Sequence, residues 1–133
     1  MAISQNMPEE FLQYIWQNRL FTTNQLQTVE GDRLEIIDQG RKNTNSGPDF
    51  FNAKIKLNET TWAGNIEIHK AASDWHKHQH TNNKAYDNVI LHVVETADTS
   101  IARSNGEIVP TLILSYPEQL KHNYQNLINA QTW

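Results

Sequence analysis

Residues 46–80, SGPDFFNAKIKLNETTWAGNIEIHKAASDWHKHQH, form the stretch that predicts the centre of the fold. Two alternating runs, Phe51–Leu57 and Trp62–His69, flank a polar connection at Asn58–Thr61. Runs of this kind around a short polar connection are typical of a β-hairpin. Acidic and imidazole side chains lie at the ends of the runs and just beyond them: Asp49, Glu67, His69, Asp74, His76, His78 and His80. We therefore predict a hairpin that carries the chemically active groups of the chain.

The register of this hairpin decides which side chains share a face. A four-residue connection pairs Leu57 with Trp62 and places the apolar side chains of both strands together, namely Phe51, Ala53, Ile55, Ile66 and Ile68. Glu67 and His69 then point to the opposite face. Asp49 has the parity of the apolar face, so it can meet Glu67 only if the first strand bends or bulges near Pro48-Asp49.

Length and composition predict a single domain, residues 1–133, with one hydrophobic core. Cysteine is absent, which excludes disulfides, a thiol nucleophile and thiolate metal ligands and fits a cytoplasmic protein. No apolar run is long enough to cross a membrane, so we expect no membrane association. Any metal would be held by carboxylates, imidazoles, carbonyls and water.

The formal net charge of −4 is spread unevenly. Residues 41–84 contain seven Lys/Arg and four Asp/Glu, a balance of +3, which leaves −7 for the rest of the chain. Such asymmetry is one indication of a face for phosphate or nucleic acid, and a mixed surface with chance clustering explains it equally well. Nucleic acid is therefore one expected partner, and the oligomeric state is not indicated.

Periodicity and turn residues predict the remaining elements. Before the hairpin we expect a helix over residues 8–20, a short strand at 34–37 and a loop at 41–47. After it we expect an irregular connection or short helix at 71–88, a strand at 89–94 buried on both faces, a second hairpin pairing 99–103 with 108–114, and a last helix from Pro117. This order predicts an α/β (α+β) fold, with a mixed central sheet flanked by helices.

Four segments, GPDFFNAKI, WAGNIEIH, SDWHKHQH and AYDNVILHVV, resemble an uncharacterised bacterial domain-of-unknown-function family. Its members combine a GPDF box, a W-x-G-x-[IV]-E-[IL]-H box and a Y-x-x-V-I-L-H-V-V strand. The resemblance covers most of residues 8–130. It implies that this chain corresponds to an N-terminal portion of a longer protein, and it supplies no activity.

Pro48-Asp49 and Glu67-Ile68-His69, separated by seventeen residues within a hairpin, resemble the motif of the PD-(D/E)xK nuclease superfamily. That superfamily has Pro-Asp at the start of one strand and (Asp/Glu)-x-Lys on the next. Here His69 stands where the motif has lysine, and Lys70 follows it. The resemblance implies a restriction-endonuclease-like fold and a metal-dependent nuclease with Asp49, Glu67, His69 and Lys70 as catalytic residues.

The chemistry of phosphodiester cleavage explains these residue types. A divalent ion activates a water and neutralises charge on the phosphoryl oxygens, and Mg²⁺ or Mn²⁺ needs only one or two protein carboxylates. We expect Asp49 and Glu67 to bind such an ion, with His69 as a base or third ligand and Lys70 as a replacement cation. Four further residues are weaker candidates for metal binding: Asp74, His76, His78 and His80.

Two alternatives remain open. In the first, the nuclease-like fold has lost catalysis and binds nucleic acid or a protein, because the motif lysine is missing. In the second, Glu67, His69 and the histidines at 76–80 form a His-rich zinc hydrolase, although zinc is less favoured than Mg²⁺ or Mn²⁺. The simpler interpretations are that Asp74 caps a turn, that His76, His78 and His80 are solvated, and that His92 is a hydrogen-bonded core histidine.

Overall fold

The computed structural model describes residues 8–78, 80 and 83–130. Its helices are α1 (Glu9–Gln17), α2 (Asp74–Lys77) and α3 (Glu118–Ala130), with a turn of 3-10 helix at Lys84–Tyr86. Its strands are β1 (Leu34–Asp38), β2 (Arg41–Lys42), β3 (Phe50–Leu57), β4 (Thr60–Ala71), β5 (Val89–Thr96) and β6 (Thr111–Ile113). The predicted helices and the strand at 34–37 are therefore present, with α1 ending before residue 20.

The strands form one mixed sheet in the order β1-β3-β4-β5-β6, with β2 beside β3. β1, β3 and β4 pair antiparallel, whereas β4, β5 and β6 pair parallel. This confirms the predicted α+β class with a mixed sheet and helices. The segment predicted as a loop at 41–47 contributes the two-residue strand β2.

The main hydrophobic core lies on one face of the sheet, beneath α1. Helix α1 buries one side of its surface, formed by Phe11, Leu12, Ile15 and Trp16, as its apolar spacing predicts. The sheet contributes buried side chains from its central strands, including Phe50, Ala53, Ile55, Ile66, Ile68, Leu91 and Val93. The buried strand residues on this face are apolar, and the buried polar residues Glu67, His69 and His92 lie on the other face.

The central hairpin is present, but its register differs from the predicted one. The connection has two residues, Asn58 and Glu59, and Leu57 pairs with Thr60 instead of Trp62. Asn58 adopts a φ of +52°, and its side chain bonds to Arg33 N and Asp32 Oδ1, which favours the tighter turn. Because the register moves by two residues, the facing of the side chains next to the turn is unchanged.

A β-bulge at Asn52 changes the facing at the far end of β3. Phe50 pairs with Ile66 and Ala53 with Gly64, so β3 advances three residues where β4 advances two. Asn52 has a φ of +61°, and its N–H donates to Asn65 Oδ1. Phe50 is consequently buried in place of Phe51, which corrects the predicted apolar face. The bulge also supplies the irregularity that Asp49 needs in order to reach Glu67.

Strand β5 is buried on both faces over Val89–Val94, as predicted. The second predicted hairpin is reduced to a single bridge between Ala102 and Ile108 around the Asn105-Gly106 turn. The chain after this bridge does not continue antiparallel, because β6 pairs parallel with β5 at the edge of the sheet. A smaller cluster, formed by Trp75, Tyr86, Val89, Ile101 and Val109, lies apart from the main core.

Candidate metal centre

Asp49 and Glu67 lie side by side at the end of the hairpin. The Asp49 N–H donates to Glu67 Oε1 at 3.1 Å, and the Ile68 N–H donates to Asp49 Oδ2 at 2.8 Å. Each carboxylate is therefore held by a backbone N–H of the opposite strand segment. The bulge at Asn52 makes this possible, because it brings Asp49 onto the face of β4 that carries Glu67.

The two carboxyl groups have pKa values displaced in opposite directions. Burial, reinforced by the charge of Glu67, raises the pKa of Asp49 to about 7. Burial also opposes ionisation of Glu67, but hydrogen bonds from His69 and His80 outweigh it and lower the pKa of Glu67 to about 2. Opposed displacements of neighbouring carboxyl groups are typical of acid–base or cation-binding sites.

Two histidines contact the outer oxygen of Glu67, and a third contacts one of them. His80 Nε2 lies 2.8 Å and His69 Nε2 3.1 Å from Glu67 Oε2. His78 Nδ1 lies 3.2 Å from His69 Nε2. His69, His78 and His80 each offer a ring nitrogen, all within 4.8 Å of one another. His69 and His80 are buried and His78 is exposed, so the cluster opens to solvent on one side.

His92 supports His69 from β5. Its Nε2 lies 2.7 Å from His69 Nδ1, because the parallel register places His92 beside Glu67. Burial, followed by the charge of His69, lowers the pKa of His92 to about 3, so His92 is neutral. Burial also lowers the pKa of His69, but its bond to Glu67 outweighs this and the net pKa is raised. In the 2.7 Å contact between His69 Nδ1 and His92 Nε2, one ring nitrogen donates and the other accepts.

Aromatic side chains hold the imidazoles in place. Tyr86 stacks on His80 with ring centroids 3.7 Å apart, and Trp75 meets both His80 and His92 edge-on at 5.2 Å. Trp75 is fully buried. Trp62, in contrast, is 48% exposed.

The structure brings together five of the predicted site residues, Asp49, Glu67, His69, His78 and His80. The other three are elsewhere. Asp74 accepts the Ala71 N–H at 3.2 Å and pairs with Lys77, which is a structural role, and His76 is exposed on α2. Lys70 follows His69 on β4, and strand alternation directs it to the opposite face.

His92 is the member that the sequence interpretation left outside the site. It is buried and hydrogen-bonded, as predicted for a core histidine, yet its partner is the central imidazole of the cluster. Its sequence signal was a single histidine inside an otherwise apolar strand. Which residue His92 faces depends on the pairing of β4 with β5, and the sequence alone did not predict that pairing.

Comparisons with other proteins identify the family alone. The profile of the family described as "Protein of unknown function (DUF2851)" matches residues 9–133. No curated protein and no solved structure matches the chain. Within the part of the chain that the structure describes, no helix combines the length and apolar character needed to cross a membrane.

Proposed function

The chain belongs to the family of proteins of unknown function DUF2851, and we propose that it is a metal-dependent nuclease that hydrolyses phosphodiester bonds of nucleic acid. The observation that carries this proposal is the pairing of half-buried Asp49 with buried Glu67 at the end of the hairpin, where two imidazoles also contact Glu67. A restriction-endonuclease-like organisation of the sheet, on the pattern of the PD-(D/E)xK superfamily, is part of the same proposal.

Two neighbouring carboxylates favour a divalent cation. Ionisation of Asp49 beside the anion of Glu67 is costly without a compensating charge, as its raised pKa of about 7 indicates. An Mg²⁺ or Mn²⁺ ion bound by both carboxylates would compensate that charge and leave coordination positions for water and a phosphate oxygen. The bound ion would supply an activated water and neutralise charge that develops in the transition state.

His69 is the residue on β4 that we assign to the position of the motif lysine. It shares a face with Glu67, and the pKa of its imidazole is raised by Glu67, despite the opposing effect of burial. A group in this position brings positive charge next to the metal-binding carboxylates. Lys70 lies on the other face of the strand, and we assign it a minor role.

Cleavage assays on purified protein test this assignment. With Mn²⁺ or Mg²⁺ added after chelator treatment, we expect nicking of plasmid DNA or cleavage of RNA. His69→Ala should reduce the rate by more than about tenfold, as is usual for general acid–base groups, and Asp49→Asn and Glu67→Gln should reduce it at least as much. Lys70→Ala should have a smaller effect.

Glu35→Gln is the matched control, because Glu35 is an exposed glutamate on β1 and its change should leave the rate unchanged. If the wild-type protein cleaves neither DNA nor RNA with either ion, the nuclease proposal is wrong. A gel-shift assay with the same nucleic acids then decides whether the domain is a binding module that has lost catalysis.

A further inference from the structure

Three imidazoles converge on the outer side of Glu67, away from Asp49. Glu67 Oε1 accepts the Asp49 N–H, whereas Glu67 Oε2 faces His69 and His80. His78 completes the group from just beyond α2, and its Nδ1 lies 3.2 Å from His69 Nε2. Ring nitrogens from the sheet and from the segment that follows β4 thus meet at one point.

Hydrogen bonds among the described residues do not satisfy all the ring nitrogens of these histidines. His69 Nε2 faces both Glu67 Oε2 and His78 Nδ1, but one N–H can be directed well at only one of them. His80 Nδ1 is buried and has no hydrogen-bond partner among the described residues, and the same is true of His92 Nδ1. A buried polar atom without a partner costs about 1–3 kcal/mol, so it calls for an explanation such as a bound ion.

We infer that His69, His78 and His80 bind a zinc-class transition-metal ion, each through one ring nitrogen. A tetrahedral zinc with Zn–N distances of ~2.0–2.1 Å has neighbouring ligand atoms about 3.3 Å apart. The 3.2 Å separation of His69 Nε2 and His78 Nδ1 agrees with that spacing. Three imidazoles leave a fourth position for water or substrate, which is the pattern of catalytic zinc sites.

The surrounding residues complete the site. When His69 binds the ion through Nε2, its remaining proton lies on Nδ1, where His92 Nε2, 2.7 Å away, is placed to accept it. Glu67 adds negative charge beside the three neutral ligands. Imidazole ligands select Zn²⁺ and related ions over Mg²⁺, whose preferred ligands are oxygens.

The zinc site extends the proposed nuclease centre but does not depend on its reaction. The ion would lie on the imidazole side of Glu67, and the Mg²⁺ or Mn²⁺ ion of the proposed function on the Asp49 side. When zinc is bound, His69 is neutral. The zinc ion that it holds then supplies the positive charge at the position of the motif lysine. The resemblance to the PD-(D/E)xK motif does not imply this zinc ion.

Zinc titration of chelator-treated protein tests the inference. We expect the wild type to bind one equivalent by calorimetry, and Co²⁺ in its place to show the visible absorption of a tetrahedral site. His78→Ala should weaken zinc binding by at least about 100-fold, because loss of a supporting residue alone costs 10–100-fold. His78 is exposed, so its removal leaves the buried packing intact, which thermal unfolding without metal verifies.

Two control variants make the result specific. His76→Ala removes another exposed histidine two residues away and should keep wild-type zinc affinity. Asp49→Asn should also keep it, so loss of cleavage with intact zinc binding separates the two centres. The inference is wrong if the wild type fails to bind zinc, if His78→Ala weakens binding less than tenfold, or if His76→Ala weakens it equally.

Discussion

At the scale of single residues, Asn52 and Asp49 illustrate how the site is assembled against local preference. Asn52 adopts a left-handed φ of +61°, which asparagine tolerates better than most residues. The resulting bulge brings the Asp49 carboxyl group to a half-buried position beside Glu67. Two carboxyl groups this close are destabilising when both are ionised, because their negative charges repel each other.

We therefore expect Asp49→Asn to stabilise the metal-free protein at neutral and alkaline pH. The pKa of Asp49 is about 7 in the folded protein, against an ordinary value of 3.8, so its ionisation opposes folding increasingly between those two pH values. The advantage of the variant should be absent near pH 4, grow towards pH 7 and then level off. At 1.36 kcal/mol per pKa unit, the variant should gain at most about 4 kcal/mol in the free energy of unfolding. Partial exposure of Asp49 to solvent makes the gain smaller.

Urea unfolding in the presence of a chelator at pH 4, 6 and 8 measures this trend. Asp98→Asn is a control of opposite sign, because hydrogen bonds from Ser73 lower the pKa of Asp98. Its carboxylate favours folding above its unfolded pKa, so the asparagine variant should lose stability relative to wild type as pH rises. An Asp49→Asn advantage that does not change with pH would contradict the explanation from buried charge.

At the scale of elements, β4 is the strand on which the site depends. It pairs antiparallel with β3 and parallel with β5, and it carries Glu67 and His69 on one face and Ile66 and Ile68 on the other. Strand β4 packs closely against the start of β5 at Gly64. A Cβ atom there would lie 2.5 Å from the Asn88 carbonyl oxygen and 2.6 Å from Ile90 Cγ2.

We expect Gly64→Ala to destabilise the protein by about 1–3 kcal/mol, because the added methyl group would force apart two backbones already in contact. Chemical unfolding measures the loss. Thr61→Ala, an exposed change on the same strand, should alter the free energy of unfolding by less than about 0.5 kcal/mol. Equal effects of the two substitutions would show that β4 and β5 adapt to the extra atom.

At the scale of the whole molecule, the sheet separates a core from a site. Helix α1 covers one face, whereas described residues of the segment after β4, namely Trp75, His78, His80 and Tyr86, pack near the central strands on the other. The candidate metal centre thus joins the sheet to the segment that follows β4. Binding of an ion there would add a connection between two parts of the fold.

Hydrogen exchange tests that connection. At zinc concentrations about 100 times the Kd, linkage predicts stabilisation by about 2.7 kcal/mol, or roughly 100-fold slower exchange through openings that release the ion. We expect the protection at residues 74–78 and 83–86, with no change at the Asn58-Glu59 turn. His78→Ala should remove it. Protection spread evenly over the chain would contradict a local site.

Local sequence patterns determined much of this architecture. Alternation predicted the β3–β4 hairpin, an unbroken apolar run predicted the buried strand β5, and helical spacing predicted α1. Hairpin pairing is local, and burial depends mainly on the residue itself, so both can be read from neighbouring residues. The motif resemblance identified Asp49, Glu67 and His69 as candidate site residues, although the predicted register placed Asp49 and Glu67 on opposite faces.

The tertiary structure alone resolved that conflict and completed the cluster. The bulge at Asn52, the parallel pairing of β6 with β5 and the position of His92 beside His69 depend on contacts between residues far apart in sequence. His78 and His80 join the cluster and His76 does not, because α2 and the packing around Trp75 determine the direction of each ring. Alternation along a segment cannot determine those directions, since they result from packing against other elements.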